Sequence, residues 1–129
     1  MLTSLYVALG GALGSVARFW LSEALATRYG NAFPFGTLVV NVAGSFVIGL
    51  LAALSLSHGR FLLAPPARFF LMVGVCGGFT TFSAFSLQTY ALAQNGEWAR
   101  AAMNALLSVL LCLVAVVLGQ VAGSIVNKI

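Results

Sequence analysis

Charged residues are scarce in this 129-residue chain, since only 6% of its residues are Asp, Glu, Lys or Arg. A soluble domain carries about 25% charged residues. Hydrophobic residues make up 61% of the chain, and its mean hydropathy is +1.07. These proportions leave too little polar surface to cover a water-soluble globule. The composition therefore predicts an integral membrane protein.

Side chains suited to catalysis or proton transport are also few. The two acidic residues, Glu23 and Glu97, fall near predicted helix ends, and the single histidine, His58, falls in a predicted loop. Paired carboxylates and metal-ligand spacings are missing, so we do not expect an enzyme. A proton-coupled transporter typically needs a carboxylate or histidine inside the membrane. Cys76 and Cys112 both lie in apolar runs, which argues against a secreted disulfide framework.

Long apolar runs occupy most of the chain. A helix needs about 20 apolar residues to span a bilayer, and four runs reach that length, at residues 2–26, 37–57, 66–94 and 98–126. The runs do not alternate with the period of two that membrane strands show. The sequence therefore predicts an all-α, multi-pass integral membrane protein, with four transmembrane helices in a single domain of residues 1–129.

The six basic residues give no clear orientation in the membrane. Lys and Arg in short loops tend to stay cytoplasmic, yet one side would carry Arg60, Arg68 and Lys128, and the other Arg18, Arg28 and Arg100. Two explanations stay open: a weak bias that a partner protein resolves, or insertion of identical chains both ways to form an antiparallel homodimer. The dispersed net charge of +4 favours anchoring in lipid over binding of nucleic acid.

The third run has a weak point near its middle. Residues 77–86 read Gly-Gly-Phe-Thr-Thr-Phe-Ser-Ala-Phe-Ser, and the glycine and threonine pairs cost roughly 2–3 kcal/mol of helix propensity relative to alanine. A break there would be tolerable only where it faces protein, water or an ion. Unwound backbone in transporters offers carbonyl oxygens to a small cation. A continuous helix with a glycine packing notch is the other interpretation, and the pattern does not decide between them.

A few polar and aromatic side chains could form a path through the apolar runs. Asn41 could donate to an anion or bond to another helix. Asn104 and Ser108 are four residues apart, so they share one face of the fourth helix. The positive ring edges of Phe82 and Phe85 could attract an anion, although core packing is much the commoner explanation for two such residues.

Three further polar residues lie close to these groups in sequence. Thr81 and Ser83 add hydroxyls beside the possible break. Arg18 lies inside the first apolar run, where it could reach out to the interface. At the entrance of a pore it would concentrate anions.

Three motifs resemble the Fluc (CrcB-type) fluoride channels, and the resemblance covers essentially the whole chain. They are Gly-Ala-Leu-Gly-Ser-Val-Ala-Arg ending at Arg18, Gly-Thr-Leu-Val-Val-Asn ending at Asn41 with Gly44 following, and the run at 77–86 in the third of four short helices. The resemblance implies passive fluoride export across the cell (inner) membrane. It also implies an antiparallel, dual-topology homodimer with two pores.

The resemblance implies roles for particular residues as well. The backbone carbonyls of Gly77 and Thr80 would bind a structural sodium ion at the dimer interface, and Arg18 would lie in the vestibule. The fluoride pore would be lined by Asn41, Thr81, Phe82, Ser83, Phe85, Asn104 and Ser108. Gln88, Asn104 and Cys112 depart from the residues expected in the family. A small proton-coupled multidrug exporter and a structural membrane subunit are the alternatives.

Overall fold

The computed structural model describes residues 1–55 and 63–128, and helices make up nearly all of them. No strand occurs in these two stretches. Four helical spans are long and apolar enough to cross a membrane: Leu2–Tyr29, Phe35–Leu54, Pro65–Gln94 and Trp98–Val126. The prediction of an all-α membrane protein with four spans is therefore confirmed. His58 and Arg60, which the sequence assigns to a loop, lie outside the described residues.

The first two spans, α1 (Leu2–Tyr29) and α2 (Phe35–Leu54), are joined by a short connection. α1 continues past residue 26, where we predicted its end, until Gly30 ends it with a φ of 75°, a value that glycine adopts without strain. α2 begins earlier than the predicted residue 37, directly after Pro34 at its N-cap. The predicted end at residue 57 lies outside the described residues.

The third span consists of several segments: α3 (Pro65–Arg68), a π-helix (Phe69–Cys76), α4 (Gly77–Phe79) and α5 (Phe82–Gln94). Between α4 and α5, Thr80 has φ/ψ of −80°/157° and Thr81 has −152°/112°, both extended conformations. We call Thr80 and Thr81 the extended pair. β-branched side chains favour extended backbone. Thr81 also caps α5, because its hydroxyl accepts the Ala84 N–H at 3.2 Å.

Glycines let α1 pack closely against the third span. A Cβ added at Gly14 would collide with the Val75 carbonyl and lie 2.8 Å from the Phe79 nitrogen, and one at Gly78 would collide with the Gly11 carbonyl. Small residues at such contacts are characteristic of membrane helices. The backbones of α1 and of the segment before the extended pair therefore touch directly.

The fourth span, α6 (Trp98–Val126), packs against α2 in the same way. A Cβ added at Gly119 would collide with the Phe46 carbonyl, and one at Gly49 would collide with the Val116 carbonyl. The extended pair lies next to α2, since a Cβ at Gly44 would collide with the Thr80 side chain. This arrangement brings polar residues of α2, α6 and the third span together.

Candidate functional site

Asn41 bonds to the backbone of the extended pair in both directions. Its Nδ2 donates to the Thr81 carbonyl at 3.0 Å, and the Thr81 N–H donates to its Oδ1 at 2.7 Å. In a continuous α-helix the Thr81 N–H would bond to the carbonyl of Gly77. The Asn41 amide replaces that partner, so the extended pair leaves no buried Thr81 amide without a hydrogen bond.

Other side chains satisfy part of the backbone around the extended pair. Ser15 Oγ donates to the Gly78 carbonyl at 3.4 Å, and the Thr80 hydroxyl donates to the Cys76 carbonyl at 2.9 Å. The carbonyls of Gly77 and Thr80 accept no hydrogen bond from the described part of the chain. These two oxygens are therefore available to a ligand or a partner chain.

A cavity of about 400 Å³ lies beside the extended pair, between α2, α6 and the third span. We call it the central cavity. The predicted site residues in its lining are Asn41, Gly77, Thr80, Thr81, Phe82, Phe85 and Ser108. One hydrogen of Asn41 Nδ2 bonds to Thr81, and the amide carries a second. The central cavity therefore combines amide and hydroxyl donors with aromatic rings in an otherwise apolar wall.

The two phenylalanine rings form a tilted pair at the start of α5. The centroids of Phe82 and Phe85 are 5.2 Å apart, with 49° between the ring planes. Phe82 is 76% exposed although it lies near the middle of the third span. An aromatic ring carries partial positive charge along its edge, so this open pair can present ring edges to an anion.

Asn104 does not line the central cavity. It is 1% exposed, and its Nδ2 donates to Thr89 Oγ1 at 2.8 Å. The Thr89 hydroxyl in turn donates to the Phe85 carbonyl at 2.7 Å. The Ser108 hydroxyl donates to Asn104 Oδ1 at 3.5 Å. Asn104 therefore connects two lining residues: Ser108 on α6 directly, and Phe85 on α5 through Thr89.

Ser83 and Arg18 are also outside the lining of the central cavity. Ser83 is exposed, with its Oγ 3.2 Å from Thr81 Oγ1. Arg18 is half-buried, and its Nε has no hydrogen-bond partner in the described part of the chain. The predicted residues are thus divided between the cavity wall and its surroundings.

A second cavity of about 400 Å³ lies where α1 and α5 end and α2 begins. Its polar lining residues include Glu23, Asn31, Thr37 and Gln88. The Gln88 Oε1 atom is buried without a hydrogen-bond partner in the described residues. This cavity has a partly polar lining and lies at one end of the bundle.

Part of the central cavity was not predicted from the sequence. Eight lining residues fall outside the predicted site: Gly44, Ser45, Ile48, Met72, Cys76, Val109, Cys112 and Leu113. Ser45 follows Asn41 by four residues, and helical spacing alone would have placed both on one face. No sequence signal identified Thr89 as the partner of Asn104, because that pairing depends on how α5 meets α6.

These features define a small multi-pass membrane protein. Its third span contains the extended pair, which lies beside a cavity lined by hydrogen-bond donors and aromatic rings. Comparison with known proteins gives its family. Residues 5–120 match the family described as "CrcB-like protein, Camphor Resistance (CrcB)". The chain belongs to this CrcB family, and the resemblance inferred from the three motifs is confirmed.

Close relatives match nearly the full chain. A protein of Opitutus terrae is 57% identical over 125 residues, covering 97% of this chain and 95% of the relative. One of Paramagnetospirillum magneticum is 55% identical over 128 residues, covering 99% and 100%, and one of Rhodospirillum rubrum is 53% identical over 127 residues, covering 98% of each. All three relatives are named "Fluoride-specific ion channel FluC".

Proposed function

We propose that this chain is a fluoride-selective ion channel that lets fluoride leave the cell passively across the membrane. The observation that carries the proposal is the central cavity, which holds amide, hydroxyl and ring-edge groups in an apolar wall. The chain is not an enzyme, because its family relatives are named ion channels over almost their full length. The cavity supplies the groups that such a channel needs.

Fluoride is small and strongly hydrated, so the path must replace lost water with donors. In the cavity lining, Asn41 offers its second N–H, and the Ser108 hydroxyl could donate to fluoride in place of its long 3.5 Å bond to Asn104 Oδ1. The rings of Phe82 and Phe85 add weaker attraction at their edges. Several weak sites in sequence allow an ion to leave as well as to enter. We expect fluoride to pass from the donors to the ring edges without meeting a site that binds it tightly.

A second copy of the chain in the opposite orientation would complete the site. Gly77 is exposed, Thr80 is half-buried and the ring of Phe82 is 76% exposed, so this part of the third span has an open side. Lipid cannot satisfy free carbonyls, so this side requires a polar or protein partner. The balanced basic residues allow both orientations. An antiparallel homodimer would give two such cavities and therefore two pores.

The same carbonyls suit a hard monovalent cation such as sodium. Oxygen ligands are preferred by hard cations, and carbonyls of unwound helices bind sodium in transporters. The described residues contain no group of three His, Cys, Asp or Glu side chains that could hold a metal instead. Gly77 and Thr80 from both copies would hold the ion at the dimer interface, where its charge would offset the facing carbonyl dipoles.

The proton-coupled exporter is less well supported. In the described residues Glu23 is exposed near the end of α1, and Glu97 pairs with Arg100 through a 2.6 Å contact at an exposed turn. Neither carboxylate is buried inside a span, where a proton carrier would be needed.

Fluoride efflux from liposomes tests the proposal. Purified protein is reconstituted, and release is followed with a fluoride electrode, with chloride-loaded liposomes as the comparison. We expect fast fluoride release, little chloride release, and loss of fluoride release in F82I and F85I. F19I is the matched control, because Phe19 is 60% exposed on α1 and does not line the cavity. Folded dimeric protein that releases no fluoride above empty liposomes would refute the channel.

Dimer orientation and the cation need separate tests. A tag at the C-terminus should be accessible from both sides of the cell membrane if the chain inserts both ways. Replacing sodium with a bulky organic cation during purification should weaken dimer association. Tag labelling from one side only would exclude an antiparallel pair, and dimer association that does not depend on the cation would exclude a structural sodium ion.

A further inference from the structure

The second cavity, at the end of the bundle, contains hydrogen-bond donors that the proposed conduction does not use. Thr37 lines this cavity and is only 7% exposed, and its hydroxyl makes no hydrogen bond in the described part of the chain. The backbone N–H groups of Gly36 and Thr37, at the start of α2, also lack partners among the described residues. Free N–H groups at the start of a helix favour an anionic group such as phosphate. The buried Thr37 hydroxyl adds a third donor at the same place.

Hydrogen-bond acceptors lie in the same lining. Gln88 Oε1 on α5 is buried without a hydrogen-bond partner in the described residues, and Glu23 on α1 is the one charged side chain of the described lining. α1 and α2 meet closely here, because a Cβ added at Gly36 would lie 3.0 Å from the Cα of Ser22. Glu23 follows Ser22 and Thr37 follows Gly36, so the close approach of α1 and α2 brings the carboxylate and the donors to one cavity.

The helix ends around the second cavity carry partial charges of both signs. α2 begins there with a partial positive charge, whereas α1 and α5 end there with partial negative charges, each of about half an elementary charge. A purely anionic ligand would meet the Glu23 carboxylate with no Lys or Arg in the described lining to offset it. A purely cationic ligand would leave the donors of α2 without acceptors. The ligand that suits both sets therefore carries a phosphate and a cation with N–H donors.

Aromatic residues beside the second cavity are typical of the level of lipid headgroups. Phe33 and Phe35 line the cavity with ring centroids 4.9 Å apart. Tyr29 is 59% exposed, and its ring centroid lies 5.9 Å from that of Phe35. Tyrosine is enriched where membrane helices reach the water interface. The cavity volume of about 400 Å³ is within the usual range of ligand pockets, about 300–1,000 Å³, so it has room for a lipid headgroup.

We infer that the second cavity binds the headgroup of a zwitterionic phospholipid with a primary ammonium group, as in phosphatidylethanolamine. The phosphate oxygens accept hydrogen bonds from the N–H groups of Gly36 and Thr37 and from the Thr37 hydroxyl. The ammonium group donates to Gln88 Oε1 and to the Glu23 carboxylate. A choline headgroup has no N–H to donate, and a glycerol headgroup has no positive charge to offer Glu23. Both should therefore bind more weakly.

Native mass spectrometry of the purified full chain measures this binding directly. Protein in an uncharged detergent is titrated with phosphatidylethanolamine, phosphatidylcholine or phosphatidylglycerol of identical acyl chains. We expect the ethanolamine lipid to bind on the order of tenfold more tightly than the other two. Equal binding of the three lipids would overturn the inference. Displacement of the lipid by free phosphoethanolamine at the same concentration would identify a soluble ligand and would also overturn it.

Substitutions at Thr37 test the phosphate half of the site. Thr37→Val removes the hydroxyl at similar size, so it should weaken the binding of all three lipids severalfold. Thr37→Ser keeps the hydroxyl and should bind them like the wild type. Thr3→Val is the control, because Thr3 is exposed at the other end of α1 and outside the lining. Lipid binding by Thr37→Val as tight as by Thr3→Val would exclude the hydroxyl as a phosphate donor and overturn the site.

Substitutions at Gln88 and Glu23 test the ammonium half. Gln88→Leu and Glu23→Gln should each reduce the preference for ethanolamine over choline without changing the binding of the choline lipid. Gln120→Leu and Glu97→Gln are the matched controls, because both residues lie outside the lining.

Thermal unfolding in lipid-free detergent separates this effect from a folding defect. Gln88→Leu removes no hydrogen bond made within the described residues, so it should not lower the unfolding temperature. If it does, the exposed Glu23→Gln variant carries the test. A full preference for ethanolamine in a folded Gln88→Leu or Glu23→Gln variant would overturn the inference. The lipid readout does not depend on conduction, so its failure is distinguishable from failure of the channel proposal.

Discussion

The bond pair between Asn41 and Thr81 should be the main stabilising contact of the extended pair. Asn41→Leu removes both bonds at similar side-chain size and leaves the Thr81 N–H and carbonyl without their partner. Thr81 is only 9% exposed, so water cannot replace the amide easily. We therefore expect Asn41→Leu to lower the free energy of unfolding and to abolish fluoride efflux.

The size of the effect can be bounded. Interhelical hydrogen bonds in membranes contribute about 0.6 kcal/mol each on average, so losing two costs at least about 1 kcal/mol. A buried polar group left without a partner costs about 1–3 kcal/mol, so the two groups of Thr81 cost at most about 6 kcal/mol. The low exposure of Thr81 places the expected loss nearer the upper bound.

Thermal unfolding in detergent, followed by circular dichroism, measures this loss. Ser45→Ala is the control, because Ser45 is half-buried in the same cavity wall and its hydroxyl makes no hydrogen bond in the described residues. It should change stability by less than about 0.5 kcal/mol. Asn41→Asp keeps an acceptor for the Thr81 N–H, so it should lose less stability and still conduct no fluoride. If Asn41→Leu were as stable as Ser45→Ala, the extended pair would not depend on the amide.

Three further outcomes are expected. In the same unfolding assay, Gly14→Ala should destabilise the protein by about 1–3 kcal/mol, because its new Cβ clashes with the third span. Gly11→Ala is the control: its new Cβ meets nothing within 4 Å, so this change should be neutral or slightly stabilising. Asn104→Leu and Thr89→Val should each lower stability, and a double-mutant cycle should give a coupling of about 0.6–1.7 kcal/mol; additive effects would contradict the 2.8 Å bond. Arg100→Ala should change stability by at most about 1 kcal/mol and leave efflux unchanged, because its ion pair is exposed.

Composition and run length predicted most of the fold. Four apolar runs with almost no charge leave only membrane-spanning helices as a solution, and the four spans lie where the runs do. The helix ends were less accurate, because single residues decide them. Gly30 ends α1 later than apolar content suggested, and Pro34 starts α2 earlier.

The chemistry of Asn41, Phe82, Phe85 and Ser108 marked each as a candidate, and the family resemblance grouped them as a pore. In the structure all four line one cavity. Asn104 stays a predicted pore residue, and it bonds to Thr89 and Ser108 without lining the central cavity itself. Periodicity identifies a face of a helix and not the neighbour that covers it, and the neighbouring Thr89 belongs to a different span.

The role of Asn41 could not be decided from the sequence. An amide in a membrane helix can either bond to protein or offer a donor to an ion, and the two roles seemed to be alternatives. Its geometry permits both, since one N–H and the carbonyl hold Thr81 while the second N–H remains beside the cavity. The residue that stabilises the extended pair is thus also a donor in the proposed path. Aspartate comes nearest to separating the two roles, since it keeps an acceptor for the Thr81 N–H and has no second N–H. Asn41→Asp should therefore lose fluoride conduction while it retains more stability than Asn41→Leu.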